Sequence, residues 1–230
     1  MRVREEFSRF AAEYGAHNVI QAKVARKLIA DTPGTPQKLL DIGCGNGTLY
    51  AALGRPVERF VGVDFSESML SHHPHASYVE LMCGDFNDPA LFKKLARERF
   101  ERIFSASALQ WAQDLDAVFR SIAAFQTPVS LALFTSGTFK TLYNTAGLSP
   151  LLKSAEEVMA IAARHFDADY EIVHYALDFE SVRDMLRYIK RSGVSGGRRV
   201  LDVAQTKGLM RNYPLGYLEF EVVFITSRNG

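Results

Sequence analysis

The sequence predicts an α/β fold: a mostly parallel sheet of seven strands with helices on both faces and an antiparallel last strand. Three observations predict it. A short apolar run, Lys38-Leu39-Leu40-Asp41-Ile42, breaks into alternate glycines at Gly43, Gly45 and Gly47. A second run, Phe60-Val61-Gly62-Val63, closes on an acid, Asp64. Beyond it, strand-like and helix-like segments alternate at the spacing of parallel strands joined by crossover helices.

Taken in order, residues 3–30 carry apolar positions at helical spacing (Val3, Phe7, Phe10, Tyr14, then Val19, Val24 and Leu28) with Gly15 as a break, which predicts two short helices. The connector Asp31-Thr32-Pro33-Gly34-Thr35-Pro36 is rich in turn formers. Strands are expected near 38–42, 59–63, 78–83, 101–105 and 129–135, with helices near 48–54, 67–71, 89–98 and 115–124. Helical patterns then cover 137–144 and 154–165, the second opened by the start signal Ser154-Ala155-Glu156-Glu157. A strand near 170–178, helices near 181–191 and 199–210, and a β-branched run at 217–226 complete the chain. The last two strands are expected to pair antiparallel around a helical insertion. The expected organisation is a single domain over 1–230, with an N-terminal helical lid at 1–30 and helical insertions at 137–166 and 181–211.

The glycine loop defines the chemistry. Glycines let backbone approach a ligand without Cβ atoms in the way, at the carboxyl end of a strand where open α/β sheets bind. Asp64, at the next strand end, is placed to accept hydrogen bonds from both hydroxyls of a ribose. A dinucleotide fingerprint would need Gly-x-Gly-x-x-Gly, but the glycines fall at 43, 45 and 47 and position 48 is Thr48. Asp41, just ahead of the glycines, would repel a pyrophosphate and attract an ammonium. S-adenosylmethionine carries that ammonium. Asp85, which ends the run Met82-Cys83-Gly84, is a candidate partner for the adenine amino group, with Phe86 beside the ring. The candidate cofactor set is Asp41, Gly43, Cys44, Gly45, Asn46, Asp64, Phe65, Met69, Asp85, Phe86, Ser105 and Leu109.

Composition excludes other classes. With 47% hydrophobic and 23% charged residues and a formal net charge of +1 over 230 residues, no global field points to nucleic acid or to a membrane. No run of about 18 apolar residues and no signal-peptide pattern occurs, so a cytoplasmic protein is expected. The two cysteines, Cys44 and Cys83, are expected as buried thiols and not as a disulfide or metal ligands. His72, His73 and His75 surround Pro74 in a loop without a matching Cys or acid, so no metal is expected. Lys93, Lys94, Arg97 and Arg99 lack the interleaved aromatics of a nucleic-acid surface and read as a solvated helix face.

The glycine loop with its acids resembles the class I S-adenosylmethionine-dependent methyltransferases, which share a Rossmann-like sheet. Three further stretches narrow the match. The opening Phe7-Ser8-Arg9-Phe10-Ala11-Ala12-Glu13-Tyr14-Gly15-Ala16-His17-Asn18-Val19-Ile20-Gln21 resembles the start of the malonyl-acyl-carrier-protein O-methyltransferases of biotin synthesis. Ser105-Ala106-Ser107-Ala108-Leu109-Gln110-Trp111 is similar to that family's Ser and Leu-x-x-Gln-Trp segment. Ile189 to Val194 and Tyr213-Pro214-Leu215-Gly216-Tyr217 are similar to its Lys-x-x-Gly and Tyr-Pro-Leu-Thr-Tyr segments, with Gly216 where Thr is usual.

The resemblance implies methyl transfer from S-adenosylmethionine, with S-adenosylhomocysteine as product, to the free carboxylate of malonyl-acyl carrier protein or malonyl-CoA. The ester would shield that charge while fatty-acid enzymes elongate the chain toward pimelate. A carboxylic acid with a pKa of about 4 is already ionised at neutral pH, so no general base is expected and positioning carries the rate. Tyr14 and His17, three apart on one helix face, are candidates for a lid over the methionine and malonyl ends; the alternative is that both pack on the sheet. Substrate-binding candidates are Tyr14, His17, Trp111, Lys190, Arg191, Arg198 and Arg199. The cations flank a Gly-rich turn and, with Arg183 and Arg187, form a cluster that either meets an acidic carrier or is a solvated helix face. Two other readings remain: methylation of another small carboxylate or acyl-CoA thioester, and a non-catalytic module that binds S-adenosylmethionine or the carrier protein.

Overall fold

The computed structural model describes residues 18–191 and 201–228, with backbone alone for Lys190 and Arg191. Its frame is one seven-stranded sheet: β1 (Lys38–Ile42), β2 (Arg59–Asp64), β3 (Val79–Cys83), β4 (Arg102–Ala106), β5 (Val129–Phe134), β6 (Ala168–Asp178) and β7 (Tyr217–Ser227). The spatial order is β3-β2-β1-β4-β5-β7-β6. Strands β1 to β5 pair parallel, while β7 runs antiparallel between β5 and β6. The expected sheet is therefore the observed one, down to the reversed last strand. Placing β1 and β4 side by side puts the switch in strand order at the carboxyl end of β1, where such sheets leave a crevice.

Helices cover both faces because the central strands bury both. Every residue of β5 is buried. On one face Leu40, Ile42, Ile103, Leu131 and Leu133 pack beneath α4 (Pro89–Leu95), α5 (Leu115–Ala123) and α7 (Ala155–Ala162). On the other, Leu39, Phe60, Phe104 and Phe134 pack beneath α1 (Val19–Ala30), α2 (Thr48–Leu53), α6 (Lys140–Ala146), α8 (Val182–Arg191) and α9 (Val203–Asn212). A short helix, α3 (Glu67–Leu70), follows β2. Among the described residues no helix is long and apolar enough to cross a membrane.

Caps explain the boundaries. Ser154 and Glu157 form a reciprocal capping box on α7, and Asp202 and Gln205 form another on α9. Asp114 caps α5 by accepting the Ala117 N–H at 3.1 Å. The helix expected from position 137 begins at Lys140, because Thr135 and Thr138 make a turn and Phe139 sits at φ 59° ahead of the helix. Helix α4 ends at Leu95, short of the expected 98, with Ala96 as its C-cap. Cys83 corrects one expectation: Cys44 is buried, but Cys83 is exposed, since β3 is an edge strand and its last side chain faces solvent.

Candidate functional site

Strand β1 delivers its chain to the crevice and the glycines turn it there. Gly43 and Cys44 donate their N–H groups to the Val63 carbonyl at 2.7 and 3.0 Å, which locks the loop to β2. Gly43, Gly45 and Gly47 all lie at positive φ, and a Cβ on Gly43 would stand 2.2 Å from the Ala108 Cβ. Glycine is required there both by backbone conformation and by the approach of β4's end. A Cβ on Gly47 would meet Pro74 Cδ at 2.7 Å, so the His-Pro-His stretch packs beneath the loop. His73 is buried there against Tyr50 and Phe60, with its Nδ1 at 2.8 Å from the Pro74 carbonyl. Among the described residues no group of His, Cys, Asp and Glu is placed to hold a metal ion.

The loop overhangs a cavity of about 680 Å³, counting its open mouth. Asp41, Gly43, Cys44, Gly45, Asn46, Asp64, Phe65, Met69, Phe86 and Trp111, all expected from the sequence, stand in its wall. Gln21 of α1, Thr48, Leu49, Ala106, Ser107 and Ala108 join them. Asn18 Nδ2 donates to Thr48 Oγ1 at 3.0 Å, fastening the start of α1 to the glycine loop.

Three expected residues are not in the wall. The Ser105 hydroxyl is fully buried and donates to the Ile42 carbonyl at 2.6 Å, which ties β4 to β1. Leu109 is fully buried in the core. Asp85 accepts from the backbone and side-chain amides of Asn87 at 2.9 and 2.8 Å, and only its neighbour Phe86 reaches the cavity. Tyr14, His17, Arg198 and Arg199, and the side chains of Lys190 and Arg191, lie outside the described residues. Arg187 is ion-paired with Asp184 at 2.5 Å on α8.

The two carboxylates of the wall are built differently. Asp64 accepts N–H groups from Gly45 at 3.0 Å and from Ser66 at 2.9 Å, one on each oxygen. Burial pushes its pKa up and these donors pull it back. Asp41 is 1% exposed and neither oxygen has a hydrogen-bond partner among the described residues. Burial, with the nearby Asp64 charge, pushes its pKa up to about 8. A buried carboxylate without a donor is costly, and the missing partner is a cation with N–H groups. The ammonium of S-adenosylmethionine answers that need, Asp64 has lone pairs left for a ribose, and Met69 and Phe86, both buried, supply apolar walls for the rest. The residues present fit the cofactor.

Residues 40–133 match the methyltransferase domain family. Over 84% of its length the chain is 25% identical to a malonyl-[acyl-carrier protein] O-methyltransferase of Chlorobium luteolum, covering 78% of that protein. It is 27% identical over 94% of its length to the protein of the same name from Halorhodospira halophila, again covering 78% of it. Its fold matches a chain in the complex between the Haloferax volcanii Trm112 methyltransferase activator and a putative methyltransferase, with a TM-score of 0.61, 16% identity and 99% of each chain covered.

Proposed function

We propose that this chain is a class I S-adenosylmethionine-dependent methyltransferase whose acceptor is the free carboxylate of a malonyl group on an acyl carrier protein. One observation carries the reading: among the described residues of the cavity wall the ionisable side chains are Asp41, Cys44 and Asp64, and none is a ready general base. Asp41 and Asp64 are committed as above, and burial holds the Cys44 thiol protonated. A carboxylate acceptor with a pKa of about 4 is already ionised and needs no base from this wall. The proteins of Chlorobium luteolum and Halorhodospira halophila, whose names state this reaction, support the same acceptor.

Bound S-adenosylmethionine supplies an electrophilic methyl on a sulfonium. The chain's part is then to hold and exclude. Asp41 orients the ammonium, Asp64, fixed by the Gly45 amide, holds the ribose end, and Phe86 and Met69 keep water from the adenosyl group. Asp85 is proposed to reach the adenine amino group through its remaining oxygen. Residues 1–30 are proposed as a lid, with Tyr14 and His17 closing over the acceptor; the support is that α1 already contributes Gln21 to the wall. Lys190, Arg191, Arg198 and Arg199 are proposed to meet an acidic carrier.

Incubation of the protein with malonyl-acyl carrier protein and S-adenosylmethionine, followed by mass spectrometry of the acyl group, tests the reading. A single added methyl on malonyl is expected. Cofactor binding without that gain would overturn the malonyl assignment and leave the methyltransferase.

A further inference from the structure

A second recess lies beyond Trp111, which stands in the wall of both cavities. The loop after β5, helix α6 and the segment following it line about 240 Å³ there, counting its open mouth, between Thr135, Thr138, Phe139, Tyr143, Leu151 and Leu152. Besides that of Ser136, three hydroxyls stand in its wall, and two of them are spent. Thr135 donates to the Glu221 carboxylate, and Thr138 donates to the Glu221 carbonyl at 3.2 Å. The third is not: Tyr143 is 6% exposed, yet its phenol makes no hydrogen bond with any described residue. Burial alone raises its pKa, so it stands in the recess as a protonated donor.

On the cofactor side of Trp111 a second hydroxyl is idle. Ser107 Oγ is buried without a partner among the described residues, and Ser107 sits at φ 62° with its carbonyl held by Gln110 Nε2 at 2.7 Å. Phe139, in the recess wall, is also left-handed at φ 59°. No wall residue named is cationic, and the Glu221 carboxylate lies behind Thr135.

We propose that this recess is the acceptor subsite, and that Tyr143 donates to the carbonyl oxygen of a short thioester or ester whose free carboxylate faces Ser107 and the cofactor. A neutral donor among apolar walls suits a neutral carbonyl, whereas a second carboxylate beside Glu221 would be repelled. The subsite thus takes a monoanionic half-thioester in preference to a free dicarboxylate. The assignment of malonyl rests on the function proposed above; the subsite itself rests on Trp111, Ser107 and Tyr143.

Trp111 is the sole tryptophan of the chain, so its emission reports the recess directly. Protein saturated with S-adenosylhomocysteine is titrated with the malonyl thioester of N-acetylcysteamine and with free malonate. The thioester is expected to change Trp111 emission and to bind at least tenfold more tightly than malonate. Tyr143→Phe is expected to weaken the thioester roughly three- to tenfold and Leu152→Phe, which narrows the recess, at least as much, while S-adenosylhomocysteine affinity stays at the parent value. Equal binding of the thioester by the parent and both variants would overturn the proposal, as would tighter binding of malonate. If the thioester is silent and another carboxylate proves to be methylated, the malonyl reading falls; an unchanged KM for that acceptor in Tyr143→Phe and Leu152→Phe would then overturn the subsite too.

Discussion

The backbone N–H of Gly45 donates to the Asp64 carboxylate at 3.0 Å, so the acid that ends β2 props the glycine loop that ends β1. The other Asp64 oxygen is held by Ser66 N–H at 2.9 Å. Both oxygens are therefore fixed before a ribose arrives, and binding need not order them. Asp64→Ala should weaken S-adenosylmethionine binding about ten- to hundredfold, as expected for hydrogen bonds to an ionised group worth about 1.5–3 kcal/mol. Isothermal calorimetry measures this; an unchanged affinity would remove Asp64 from the ribose.

Gly43 and Ala108 give a separable steric test. Gly43→Ala places a methyl 2.2 Å from the Ala108 Cβ and puts alanine at φ +79°. The collision and the backbone conformation should together cost about 2–5 kcal/mol. Adding Ala108→Gly removes the collision and leaves the φ strain, so the double variant should recover part of the loss. Urea unfolding of the two proteins decides it: a double variant no more stable than Gly43→Ala would show that the contact does not set the requirement for glycine.

The legible part of this site is backbone. Strand ends at Ile42 and Asp64, the glycine turn and the acids beside it follow from apolar runs and breakers, and ten of the thirteen expected residues from Asp41 to Trp111 line one cavity. Side-chain direction is where local pattern fails. Ser105 and Ser107 are two apart, and a continuing strand would set both on one face. Ser107 instead turns at φ 62°, so it reaches the cavity while Ser105 is spent on Ile42. Gln21 and Tyr143 were silent for another reason. Each sits at a helix position that reads as ordinary packing, and each meets the site only because α1 and α6 cross the end of the sheet. Cys83 is exposed because β3 is at the sheet edge, and strand order is not written in the pattern of any one strand.

His73 should report the packing under the loop. Its ring is 2% exposed against Tyr50 and Phe60, and its Nε2 has no partner. Burial, ahead of the Pro74 hydrogen bond that opposes it, lowers its pKa below 6.5. The unfolded chain therefore takes up this proton first, and the group costs stability as pH falls below 6.5. A histidine titration by NMR should place one ring, lost in His73→Phe, below that value. A His73 resonance titrating at or above 6.5 would contradict the burial.

Asp41 opposes stability to binding. Its carboxyl loses a proton near 3.8 in the unfolded chain and near 8 in the fold. Between those values the unfolded chain binds fewer protons, so this group's contribution to stability falls as pH rises from about 4 to about 8. Asp41→Asn should remove that loss and make the cofactor-free protein more resistant to urea at pH 8 than the parent, with less difference at pH 5. The same change should weaken S-adenosylmethionine, because the ammonium loses its charged partner. In the parent below about pH 8, the Asp41 carboxyl and an α-ammonium of pKa about 8 hold two protons apart and one together. Binding therefore releases a proton, and affinity should climb by up to tenfold per pH unit before falling above about pH 8. Calorimetry in buffers of different ionisation enthalpy measures the release. Binding with no proton released at pH 7, together with an Asp41→Asn affinity equal to the parent's, would show that the ammonium is held elsewhere.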